Sequence, residues 1–279
     1  VRTHQNKFSQ ALNFNFNQWQ NEKGFKKFAS HFYNQTSFLI DRKIKRNGAN
    51  FDLNPFSKEE EELIGLNTNF RNSLFFNRGK QHHSTTYSFL INESQNLLSV
   101  GSVAAKNQSH QVQYQHLVKK SWLFNFSGST TKTESTSENY PNRNFEIDGY
   151  QIEPKIGYLF SKNASWDIFY EFQQKENQIG AFETLKQTRL GTSFTFNSEK
   201  GFSMNGEFSM YNNSYDGNAL SAVGFQMLEG LQPGKNQTWR LLLQKNLTQY
   251  LDVNINYQGR NSETSKTIHT GNVQLRAFF

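Results

Sequence analysis

The sequence contains no cysteine, which excludes a disulfide framework and a thiolate metal site. It has no run of about 18 apolar residues, so no transmembrane helix is encoded. A charged start followed by an apolar stretch, the mark of a secretory signal, is also missing. Basic residues are scattered singly through the chain. The net charge of +7 therefore lacks the clustered footprint of nucleic-acid binding, and no nucleic-acid partner is expected. There is no Gly-rich phosphate loop, paired-carboxylate constellation or nucleophile motif. The chain is read as a non-enzyme without a cofactor or a metal.

Apolar residues are also scarce, at 35% against roughly 45–50% in globular domains, and mean hydropathy is -0.78. That balance suggests disorder, yet aromatics reach 15%, with 27 Phe, and disordered chains are poor in aromatics. A membrane β-barrel reconciles the two. Lipid takes an apolar face, the lumen takes a polar one, and no conventional core is needed.

The alternation supports this. In the last stretch, Thr267 to Phe279, the residues Val273, Leu275, Ala277 and Phe279 alternate with Asn272, Gln274 and Arg276, which gives one apolar and one polar strand face. The same period recurs through Phe8–Gln20, Phe25–Ile40, Leu63–Asn77, Gln81–Ile91, Leu97–Lys106, Ser109–Lys119 and a strand from Trp122. It continues in Tyr150–Phe160, Trp166–Phe172, Leu190–Phe196, Phe202–Met210, Trp239–Leu247 and Leu251–Tyr257. Asn92–Gln95 is read as a turn, and Thr131–Glu146, Lys175–Thr184 and Asn212–Asn236 as long loops. Pro154 removes a ladder donor within its strand, so a bulge is expected there. The fold class is all-β, an antiparallel transmembrane β-barrel of about fourteen strands. Residues 1–279 form one barrel domain that is part of a longer chain. Placing Phe279 at the periplasmic end puts the long loops outside, but leaves Asp41–Glu62 as an unusually long periplasmic connection.

The inward parity carries Arg71, Lys155, Arg189, Arg240, Arg260 and Arg276 with Glu153, Asp167, Glu171, Glu207 and Asp252. If these charges pair they plug and rigidify the barrel; if they stand apart around water they line a pore and set its selectivity. Trp122, Trp166, Trp239, Tyr150 and Tyr257 are placed as interfacial girdle residues. His82 and His83 are adjacent on a strand and point to opposite faces, so they cannot both chelate one ion. The acidic run Glu59–Glu62 reads as a solvated loop. His269 with Ser203 or Ser209 is the kind of pair that abundant serine produces by chance, and the Asn-X-Ser/Thr triplets at Asn34, Asn107 and Asn236 carry no glycosylation reading.

The Phe/Asn-rich alternation and the ending NVQLRAFF resemble outer-membrane barrels of the Bacteroidota. The stretch Met227–Trp239 and the following carboxy-terminal residues are similar to the end of large envelope proteins of that phylum. The resemblance implies the outer membrane of a Gram-negative cell and the barrel part of a longer polypeptide. It also implies that Val273, Leu275, Ala277 and Phe279 are an assembly signal for the barrel-assembly machinery. The expected function is an integral anchor or scaffold subunit of a larger outer-membrane export, assembly or surface-display complex, in contact with lipid and protein partners. The alternative is a stand-alone porin-like channel for small solutes, and a soluble sandwich is the third possibility.

Overall fold

The computed structural model describes residues 2–46, 63–80, 82–98, 101–199 and 201–278. They form one antiparallel sheet in which thirteen strands lie in chain order. The strands are β1 (Arg2–Asn15), β2 (Phe32–Arg46), β3 (Leu63–Phe76), β4 (His83–Leu98), β5 (Gly101–Val118), β6 (Trp122–Ser137) and β7 (Phe145–Ser161). They continue as β8 (Ala164–Asn177), β9 (Thr184–Ser198), β10 (Phe202–Asp216), β11 (Gly234–Thr248), β12 (Leu251–Ser262) and β13 (Ser265–Ala277). Two short helices, α1 (Phe25–Ala29) and α2 (Ala222–Leu228), sit in connections. A single layer, with no second sheet among the described residues, argues against the sandwich.

Among the described residues the strands number thirteen, where the sequence pattern predicts about fourteen, because Asn92–Gln95 is not a turn. It lies inside β4, and Gly101–Val118 is one strand, not two. Polar residues at a strand end had passed for a reversal. The same happens at 131–146, where β6 runs on to Ser137 and β7 starts at Phe145. Asp41 to Arg46 likewise belongs to β2, and the acidic run Glu59–Glu62 lies outside the described residues. Phe25–Ile40 is no single strand either, since Phe25 and Phe28 fall on α1 and extended structure begins only at Phe32.

The corrected count reorders the connections. The connections after β2, β6 and β8 now share one end of the sheet, here the loop end, with 217–233, which follows β10. The tight reversals at 119–121, 162–163 and 199–201 share the opposite, turn end. The long connection after β2 thus joins the other long ones, and the anomaly in the sequence reading disappears. The reversal at 119–121 is made without glycine: Lys119 and Lys120 both take positive φ, 50 and 61°, and Ser121 N donates to Val118 O at 3.2 Å. Positive φ at both central residues gives a turn whose twist matches the flanking strands.

Pro154 causes no bulge. Ile152 faces Phe172 and Lys155 faces Phe169 in unchanged register, with the rungs between them missing, while Pro154 stays paired with Phe126 on the other side. The ring costs a donor toward β8 only.

One face is polar and the other apolar, and they are buried unequally. From β3 to β11 the buried strand side chains, among them Ser73, Ile147, Phe169, Glu171, Leu185, Gln187, Ser209, Asn213 and Asn236, all lie on the polar face. On the apolar face Phe124, Ile156, Trp166 and Ile168 remain 40–47% exposed. A single layer buries one face without covering it only by curling, so the polar face is concave. The apolar stripe on β7 runs from Tyr150 to Tyr158 through Ile152, Pro154 and Ile156, roughly 27 Å along the strand at about 3.4 Å per residue. This matches the apolar band of about 25 Å that flanking aromatics enclose in a membrane barrel. Nearer the loop end the same face turns charged. Lys132 Nζ lies 2.5 Å from Glu146 Oε1 and 3.8 Å from Glu134 Oε1. Strands of 12 to 18 residues exceed the roughly 9–11 needed to span, and the surplus is this wettable extension.

Candidate functional site

On the concave face the register aligns the charged residues read from the sequence. Glu171 is opposite Arg189, Glu207 opposite Arg240, and Asp252 opposite Arg276. Arg71, Glu153, Lys155, Asp167 and Arg260 share that face. The structure gathers only some of them into contact.

The centre is Arg189. Its Nη1 donates to Glu171 Oε2 at 3.3 Å, its Nη2 to Glu207 Oε1 at 2.5 Å and its Nε to Ser209 Oγ at 3.1 Å. The guanidinium carbon lies 4.6 Å from the Phe169 ring centroid and 5.3 Å from that of Tyr211. Lys155 Nζ sits 5.5 Å from the same Phe169 ring. Two carboxylates and two aromatic faces thus hold one planar cation, an arrangement that suits guanidinium better than ammonium. The Phe169 ring lies over Gly191, where an added Cβ would stand 2.2 Å from Phe169 Cζ and 2.9 Å from Ser209 Oγ. Gly191→Ala should therefore cost about 1–3 kcal/mol by overpacking, read as a lower urea midpoint of the folded protein. An unchanged midpoint would mean the ring is not seated there.

The remaining charges differ. Asp167 accepts from Ser193 Oγ at 3.3 Å, and Arg260 donates to Gly230 O at 3.1 Å. Arg71, Arg240 and Arg276 have no ion-pair partner among the described residues, and neither does Asp252.

Toward the loop end the same face carries a small apolar core. Ile147 and Leu185 pack with Val223, Met227 and Leu228 of α2, flanked by Phe145, Tyr215 and Ala219. Ser221 caps α2, its Oγ accepting from Gly224 N at 2.9 Å. The helix is pinned by Lys175, whose Nζ reaches Met227 O at 3.1 Å and Glu229 Oε1 at 2.6 Å. The connection 217–233 thus folds back onto the concave face instead of standing away from the sheet. Sequence reading treated this stretch as a plain loop and did not single out Phe169, Tyr211 or Gly191. A signal was available: Phe145, Ile147 and Leu185 are apolar residues at polar-face positions of β7 and β9, and such residues need a cover.

Elsewhere, Trp122 and Trp166 begin strands at the turn end, while Tyr150, Trp239 and Tyr257 sit on the apolar face nearer the loop end. Trp239 Nε1 donates to Tyr257 Oη at 3.3 Å, and Tyr257 Oη lies 2.9 Å from His269 Nδ1. His269 is therefore on the apolar face, while Ser203 and Ser209 are on the concave one, so neither serine can meet it. His83 Nε2 is taken up by Asn77 Nδ2 at 2.8 Å, and no group of three metal-ligating side chains occurs among the described residues. Val273, Leu275 and Ala277 lie on the apolar face of β13. Phe279 is outside the described residues.

No family model matches the chain, and no curated protein matches it. Solved structures do. The ferric-catecholate import receptor Fiu from E. coli K12, in an open form, superposes with a TM-score of 0.55 at 8% identity. The match covers 97% of this chain and 56% of the receptor, so the chain spans little more than half of that protein's length. The translocator domain of the autotransporter NalP from Neisseria meningitidis matches at 8% identity and TM-score 0.33, over 99% of this chain and 87% of that one. The transport unit of the autotransporter AIDA-I from Escherichia coli matches at 10% identity and TM-score 0.30, over 99% and 88%. The sheet has the fold of an outer-membrane β-barrel wall.

Proposed function

We propose that the chain is the wall of an outer-membrane β-barrel in a Gram-negative cell and serves as an anchor or scaffold subunit of a larger export, assembly or surface-display complex. Its source is a Bacteroidota envelope, as the carboxy-terminal resemblance implies, and it carries neither catalysis nor a cofactor. Its partners are outer-membrane lipid, the barrel-assembly machinery during insertion, and further envelope proteins. One observation carries the scaffold role: between β7 and β10 the concave face is occupied by its own structure. Arg189 is bound by two carboxylates and two rings, and α2 is docked over Ile147 and Leu185. A filter needs charges standing apart in water, whereas these are spent on rigidity.

The second reading, a pore for small solutes, draws on Arg71, Arg240 and Arg276, which lack ion-pair partners among the described residues. Extraction of the full-length protein in mild detergent separates the two. The scaffold reading expects a large particle with stoichiometric partner subunits and no steady single-channel conductance. A lone monomer or small homo-oligomer that conducts would replace it with the pore. Release into buffer without detergent would end both.

A further inference from the structure

The two edges of the sheet carry the strongest unassigned feature. No ladder joins β1 to β13 among the described residues, and every residue of β13 is exposed, Val273 and Leu275 at 67 and 66%. In water, such edges invite aggregation. In a bilayer they are untenable, because unpaired backbone groups find no water there and only closed sheets span.

Closure is constrained by direction. Every neighbouring pair is antiparallel and there are thirteen strands, so β1 and β13 point the same way. Joining them would make a parallel seam in an otherwise antiparallel barrel. A second copy does no better. Two copies inserted in the same orientation would set β13 of one beside β1 of the other, again in parallel. Only an odd number of additional strands gives antiparallel seams at both edges, and the total is then even, as in bacterial single-chain barrels.

We infer that β1 and β13 are docking edges for an odd-numbered set of antiparallel strands from the same polypeptide, continuous with one of the two edges and lying against the other. Two observations choose this occupant. First, β1 starts at the loop end and β13 finishes at the turn end. A strand joined to either edge would therefore enter the sheet by a simple reversal, and the far strand of the set would lie against the other edge. Second, the match covers only 56% of the superposed receptor's chain, so a wall like this one is there part of a polypeptide that extends well beyond it. The proposal rests on the outer-membrane reading above but not on the scaffold role.

The test uses the full-length protein in native outer membranes, with a photo-crosslinking amino acid at Gln274 on β13, at Ala11 on β1, or at Ile168 on the apolar face. The expected product at Gln274 and at Ala11 is intramolecular, with mass spectrometry mapping both partner peptides to the same polypeptide outside residues 1–279. A product joining Gln274 to β1, a species of twice the mass, or a product with a different protein would overturn the inference. So would lipid adducts alone at the two edges. Ile168 separates the levels of failure. Lipid adducts there, with a wrong partner at the edges, sink only the closure proposal; their absence sinks the membrane reading beneath it.

Discussion

Arg189→Met should destabilise the folded protein by about 3–5 kcal/mol, the range found when one partner of a buried ion pair is removed. The cost falls on Glu171, whose side chain is 8% exposed and would be left buried without its counter-ion. Glu207 can turn to water, since its side chain is 43% exposed, so Glu207→Gln alone should cost no more than about 1 kcal/mol, as at an exposed pair. The diagnostic step is the double variant. Glu171→Gln in the Arg189→Met background removes the stranded carboxyl and should recover much of the loss. Urea titration of all four proteins, folded in the same detergent, gives the coupling energy as a double-mutant cycle. A small single-variant effect with no recovery would mean that water, not Arg189, solvates Glu171.

That outcome bears on function through the same physics. A concave face open to water screens its charges, and truncating Arg189 would then change selectivity more than stability. Where the face is filled, the reverse holds. The stability change and the conductance change from this one substitution should therefore vary in opposite directions between the two readings. Lys175 extends the comparison, because it ties α2 to the wall through Glu229 Oε1 and Met227 O. Losing that tie frees the helix without touching the Arg189 cluster.

Much of this was legible in the residues, and the failures share a cause. Strand faces follow from period-2 alternation, which survives any error at strand ends, so the alternation alone places Glu171, Arg189 and Glu207 on one face. Strand limits depend on where polar residues signal reversal, and that rule breaks where strands run on past the apolar band. Thr131–Ser137 and Asn92–Gln95 are polar because they meet water, yet they remain paired. One false turn changed the strand parity, and the parity in turn misplaced the end at which the connection after β2 lies. The helix α2 was missed because seven residues give no clear helical period. Its warrant lies elsewhere in the chain, in the apolar Ile147 and Leu185 that it covers. Pairing within the Arg189 cluster was beyond the sequence, since Glu207 is opposite Arg240 in register yet binds Arg189.

The inside and outside of the sheet are tested most directly by placing charge on each. Leu241, on β11, is flanked by Gly206 and Tyr257, and Ile255, on β12, by Leu243 and Val273, all on the apolar face. Arginine at either position should cost about 2–4 kcal/mol, the penalty for a cation near mid-bilayer on the lipid side of a barrel. Asn254 is the neighbour of Ile255 in sequence but projects to the concave face, opposite Gln244 and Gln274. Asn254→Arg adds the same charge to the same strand and should cost little, because that face is polar. The comparison holds strand, depth and substituent nearly constant and varies only the side of the sheet. Reversible unfolding from lipid vesicles supplies the three values. Equal penalties at Ile255 and Asn254 would mean that both faces meet the same medium, which no membrane-spanning wall allows. A penalty confined to Leu241 and Ile255 would leave lipid as the only solvent that accounts for an exposed apolar face beside a buried polar one.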